Sequence, residues 1–271
     1  MSIVLNEREW TEHAITNRQL GKKPAETLSR IARYYCQVEK YKKKEVRNKL
    51  EDFLLQCDPD IVLVKWGDMI DKIVRSADRF PLVELDDIEI TKDEINTVRS
   101  LGGKQIQRLA FTLLCIAKYW NVIQPKNNGW VNTADKDIMK MANINTSVKR
   151  QNLMLHEMKN AGLLRFSKRV DSLNIQVKFI RTNSPVEIHI SDFRNLGNQY
   201  LMYCGEPYFQ CSQCGLTIKK KSNAHKYCPE CAAEMYIKKS VESVMRQHNR
   251  LSNHKETLPT TPISQPQNQI I

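Results

Sequence analysis

The chain has 271 residues, 41% hydrophobic and 27% charged, with 42 Lys+Arg against 30 Asp+Glu and a formal net charge of +12. That length suits two small domains or one domain with attachments, and nine Gly and ten Pro exclude a collagen-like or low-complexity chain. No apolar run approaches the ~18 residues of a membrane helix, and Glu7, Arg8 and Glu9 interrupt the N-terminus before a signal-peptide core can form, so a soluble, cytoplasmic protein with no membrane partner is expected.

Residues 24–80 read as helical throughout. Apolar positions recur at Leu28, Ile31, Tyr35 and Val38, at Val46, Leu50, Phe53 and Leu54, and at Met69, Ile70, Ile73 and Val74. Asp58-Pro59 and Phe80-Pro81 punctuate them, and the acidic run Glu84, Asp86, Asp87, Glu89 falls in a strand or loop. Thr91-x-x-Glu94 is a capping box opening a further helix through Ser100, and Leu101-Gly102-Gly103 is the best domain boundary. Residues 1–103 hold 18 basic and 19 acidic residues, a net of −1. This N-terminal bundle is therefore expected to bind protein or to self-associate.

The basic excess lies next along the chain. Residues 104–181 hold 14 Lys+Arg and 4 Asp+Glu, a net of +10, against +3 for residues 182–271. Such concentration points to a polyanion, with nucleic acid ahead of an acidic protein or anionic lipid. Helical spacing at Ile106, Leu109, Ala110, Leu113, Leu114 and Ala117 is followed by the break Gln124–Gly129 and a short strand at Trp130-Val131. A second helix fits Thr133 to Met141. A third starts near Asn145 or Thr146, either able to cap it, and ends before Gly162. Leu163–Lys168 and Leu173–Ile180 then form a hairpin around the turn Arg169–Ser172.

On the third helix, Val148, Gln151, Met154, Leu155 and Met158 share an arc that faces a core. Asn145, Lys149, Asn152 and His156 form a stripe outside it, with Thr146 and Arg150 to one side. Amide and ammonium donors in such a row can reach base edges, and the flanking pair can hold phosphates; a plain solvated face is the competing reading. The order helix, strand, helix, turn, helix, hairpin, together with Leu155-x-x-Met158-x-x-Ala161-Gly162-Leu163-Leu164, resembles the winged helix-turn-helix family. The resemblance covers residues 104–181 and implies double-stranded DNA as partner, with Lys168 and Arg169 at a wing tip on phosphate, against which Asp171 counts.

Of eight cysteines, Cys36, Cys57 and Cys115 sit in helical patterns as small apolar residues. The pairs Cys211-Ser-Gln-Cys214 and Cys228-Pro-Glu-Cys231, thirteen residues apart, instead form a four-cysteine metal signature. Each pair sends two thiolates from one tight turn to a single ion, and four ligands leave no open position, so one structural zinc ion per chain is expected. Two disulfides or a redox pair are weaker readings without an oxidising compartment. Cys204 and His225 are secondary candidates. The segment resembles a zinc ribbon. It lies in a C-terminal region, residues 182–250, that also carries a helix, and the polar, proline-punctuated residues 251–271 read as a disordered tail.

The expected fold class is α+β, mainly α. No glycine-rich phosphate loop, nucleophile elbow or metalloprotease helix is present, and Asp87 with Glu89-x-x-Lys92 is too loose for a nuclease, so no enzymatic activity is expected. The combined features resemble bacteriophage or mobile-element proteins that regulate transcription or organise replication. The alternative is a protein-binding adaptor within such a machine, using the winged helix and ribbon as interaction modules.

Overall fold

The computed structural model describes residues 3–167 and 174–255, and their fold is α+β with helices dominant. The chain divides into two compact units, residues 1–208 and 209–271.

The first unit opens with α1 (Glu7–Thr16), α2 (Pro24–Gln37), α3 (Lys43–Cys57), a 3-10 turn (Leu63–Lys65) and α4 (Gly67–Ser76). The apolar spacing of α2, α3 and α4 buries Leu28, Ile31, Val46, Leu50, Leu54 and Ile70 in one cluster. Beside it lies a polar knot. Glu7 Oε1 accepts from Arg30 Nε at 3.0 Å and Arg33 at 2.7 Å, while Glu7 Oε2 accepts from the Val83 N–H at 3.0 Å. Arg33 also donates to the Pro81 carbonyl, and Arg30 lies over the Trp10 ring. All three charged side chains are buried.

Strand β1 (Ile88–Thr91) leads directly into α5 (Lys92–Arg99), where the Thr91 N–H donates to Glu94 Oε2 at 2.7 Å to close the capping box. Next comes α6 (Lys104–Ile123), the axis of the unit. Every residue from Leu109 to Ala117 is fully buried, as a helix apolar on all sides requires. Around it follow β2 (Trp130–Val131), α7 (Asp135–Met141), α8 (Val148–Asn160), β3 (Leu164–Phe166), β4 (Ile175–Val177), β5 (Val186–Ile190) and α9 (Leu196–Tyr203).

Strands β2, β4 and β3 make an antiparallel sheet in that order, with Val131 and Phe166 both opposite Ile175. Strand β5 returns to β1, pairing Ile88 with Ile190 and Glu89 with His189. One core thus runs from Ile88, Ile95 and Val98 through α6 to Leu164, Val177, Leu196 and Tyr200. The breaks at Leu101–Gly103 and at residue 181 both lie inside this unit. Glu94, fully buried, accepts from Lys118 Nζ at 2.8 Å and from the Arg181 N–H at 2.8 Å, binding α5 to α6 and to the approach of β5.

The second unit holds most of β6 (Tyr208–Gln210), then β7 (Thr217–Lys219) and the long α10 (Pro229–Lys255). Helix α10 reaches Lys255, so residues 251–255, expected in a disordered tail, are helical instead; the remainder of that tail lies outside the described residues.

Candidate metal centre and nucleic-acid face

In the second unit, β6 and β7 pair as a two-stranded sheet whose connecting turn carries the first thiol pair. The Cys211 N–H donates to the Leu216 carbonyl at 2.9 Å, and the Gly215 N–H returns to the Cys211 carbonyl at 2.9 Å. Gly215 adopts φ +72°, which glycine tolerates and a side chain resists. The second pair stands where α10 begins: Cys228 precedes Pro229, and Cys231 occupies the first turn.

The four sulfurs lie within 4.8 Å of one another. Cys214 Sγ and Cys228 Sγ are 3.7 Å apart, far beyond the ~2.05 Å of a disulfide. The backbone supports them, since the Cys228 N–H donates to Cys211 Sγ at 3.2 Å and the Cys231 N–H to Cys228 Sγ at 3.4 Å. Burial opposes ionisation of Cys211, yet donation from the Cys214, Cys228 and Gln213 backbone brings its thiol down to about 6. Burial pushes the Cys214 thiol up, and burial with three thiol neighbours pushes Cys231 up strongly. Four thiolates cannot share this space without a cation, and the arrangement is close enough to hold one metal ion.

Among the described residues no other group of His, Cys, Asp or Glu meets that geometry. His225 accepts from the Lys221 N–H at 3.3 Å and packs on Phe209 at 4.8 Å, and Cys204 caps α9 in the other unit. Asp87 is engaged by His189 Nδ1 at 3.0 Å, and Glu89 stands opposite the same histidine.

The first unit presents α8. Ser147 caps it, its hydroxyl accepting from the Arg150 N–H at 3.4 Å, so neither Asn145 nor Thr146 is the cap. Both precede the helix. Asn145 is exposed, whereas the Thr146 hydroxyl is buried without a partner and its carbonyl accepts from Gln151 Nε2 at 2.8 Å. Met154, Leu155 and Met158 are buried as expected, but Val148, the first residue of the helix after its cap, is 69% exposed. Lys149, Arg150, Asn152 and His156 are all exposed. His156 meets the Phe166 ring edge-on at 5.2 Å, and Lys159 Nζ lies 5.2 Å over that ring. Lys168 and Arg169 lie outside the described residues.

Part of the positive excess is already paired. Lys118 is spent on Glu94, and Lys104 pairs with Glu206. Elsewhere in the segment, Lys136 and Lys140 on α7, Arg165 on β3 and Lys178 after β4 are exposed. Sequence reasoning passed over these four because charge counting gives no face. It also missed Leu153, 49% exposed on α8, which no charge or capping signal marks.

No protein-family model matches the chain, and neither curated proteins nor solved structures yield a match. No helix of the described residues is long and apolar enough to cross a membrane.

Proposed function

We propose that the protein binds double-stranded DNA through the segment from α6 to β4, used as a winged helix-turn-helix with α8 in the major groove. The observation that carries this reading is the exposed row Lys149, Asn152 and His156 on α8, with Arg150 beside it and further exposed lysines on α7. The sheet order β2-β4-β3 behind α8 supports the same reading. The role that accompanies such binding is regulation of transcription or organisation of replication.

In this reading Asn152 and Lys149 meet base edges, while Arg150, Lys168 and Arg169 hold phosphates. Lys149→Ala or Asn152→Ala should cost about 1–3 kcal/mol on a preferred duplex and much less on a mixed sequence. Lys168→Ala and Arg169→Ala should weaken all duplexes alike and lower the salt slope by about one unit per contact. Binding titrations over a salt series check both, and α8 variants that bind every duplex like wild type would sink the assignment.

Cys211, Cys214, Cys228 and Cys231 hold one structural zinc ion. The 3.7 Å sulfur separation matches the edge of a tetrahedron whose metal–sulfur bonds are ~2.3 Å long. With four protein ligands the ion supplies folding energy rather than chemistry. Metal analysis should return one zinc per chain, lost in Cys211→Ser/Cys228→Ser.

A second reading, an adaptor that docks on protein, draws on α10. Its Ile237, Val241 and Val244 are exposed at spacings of four and three, a pattern suited to another helix.

A further inference from the structure

Two side chains on α8 do not suit a face made only for hydrogen bonding. Leu153 is 49% exposed and Val148 69% exposed, although Met154, Leu155 and Met158 of the same helix are buried. A single exposed leucine is ordinary on any surface. Here the placement matters. At about 100° per residue from Val148, Asn152 falls near ~40°, His156 near ~80°, Lys149 near ~100° and Leu153 near ~140°. The two apolar side chains therefore border the donor row on either side.

We infer that Val148 and Leu153 read thymine, seating against its 5-methyl group in the major groove and biasing α8 toward A·T base pairs. The inference rests on the DNA-binding reading of α8 and names the base class that face selects. Among the base edges of the major groove, the thymine methyl is the apolar group available to an aliphatic side chain. Asn152 lies between the two, and an asparagine amide is suited to the N6 and N7 of adenine, the partner of thymine in the same base pair. Charge complementarity commits the face to DNA: Lys149, Arg150 and Lys159 share the exposed surface of α8 with the apolar pair against one carboxylate, Glu157 beside Leu153, whereas the centre of a protein–protein interface is depleted of charge.

The test uses the full chain and two synthetic duplexes of alternating adenine and thymine, one with every thymine replaced by deoxyuridine, which removes only the methyl. Wild type should bind the thymine duplex more tightly, by about fourfold for each methyl engaged. Leu153→Ala should narrow that ratio while leaving affinity for the deoxyuridine duplex and the salt slope unchanged. Val148→Ser, which replaces both γ-methyl groups with a single hydroxyl, should narrow it too. Thermal unfolding of both variants confirms that the fold is retained.

Equal binding of the two duplexes by wild type, with a steep salt slope, overturns the inference and leaves DNA binding standing. A Leu153→Ala variant that loses affinity equally for both duplexes also overturns it. Failure to bind either duplex in a salt-dependent way defeats the DNA-binding reading itself.

Discussion

Helix α9 touches the end of α7 only because residue 197 is glycine. A Cβ there would stand 2.1 Å from the Ala142 carbonyl oxygen and 2.6 Å from its carbon, and backbone cannot swing aside as a side chain can. Gly197→Ala should therefore cost about 2–3 kcal/mol by overpacking, seen as a lower urea midpoint with an unchanged slope. Gly102, with nothing within 4 Å of its would-be Cβ, is the control and should tolerate alanine to within about 0.5 kcal/mol. Glu7 presents the opposite hazard, since its carboxylate serves two buried guanidinium groups and a backbone N–H. Glu7→Gln keeps the shape and removes the charge that Arg30 and Arg33 both face in the interior. A loss of about 3–5 kcal/mol is expected, and a loss below about 1 kcal/mol would mean that water reaches the knot.

At the scale of elements, the helices that carry one apolar stripe were legible, because a period near 3.6 marks them locally. Leu28, Ile31 and Tyr35 announce α2, and Thr91 with Glu94 announces α5. The pairing of β1 with β5 was not legible, since Ile88 and Ile190 meet across most of the unit and neither strand carries a mark of its partner. The start of α8 was misplaced for another reason: Asn145, Thr146 and Ser147 are consecutive capping types, and only backbone conformation selects Ser147. The juxtaposition of the four thiols was legible because two C-x-x-C pairs at this separation are the spacing a single metal ion would require. Among the described residues that unit has little else to hold it. Its buried cluster is Cys211, Cys228 and Cys231, with Cys214, Leu216, Ile218 and Tyr227 packed against them. On the zinc reading, metal removal should thus unfold the β6–β7 turn while the first unit persists. Amide exchange after chelation checks this, and undiminished protection at Cys211 and Leu216 would show that packing alone suffices.

The whole molecule decides how far the proposed DNA-binding segment can be isolated. Its charge and its row of donors are confined to residues 104–181, which invites excision as a fragment. Its core is not confined in that way. Ile88, Ile90, Ile95 and Val98 precede the segment, Leu196, Tyr200 and Leu201 follow it, and all belong to the cluster centred on α6. Phe111 lies 5.3 Å from the Tyr200 ring, and Lys118 completes the buried Glu94. Cutting at 104 and 181 would expose one flank of α6 and strand a lysine in an apolar setting. The excised fragment should accordingly lack a cooperative thermal transition and bind DNA weakly or not at all. A chain ending at Tyr208 retains every contributor to that core and coincides with the first compact unit, so it should unfold cooperatively. On the DNA-binding reading it should also keep the full salt slope on a mixed-sequence duplex, because the basic residues around α8 all lie within it. Calorimetry on the two truncations, followed by one salt series, separates the cases. A fragment of residues 104–181 that melts cooperatively at the temperature of the longer chain would show that α6 needs neither α5 nor α9, and that the charged segment is a folding unit of its own.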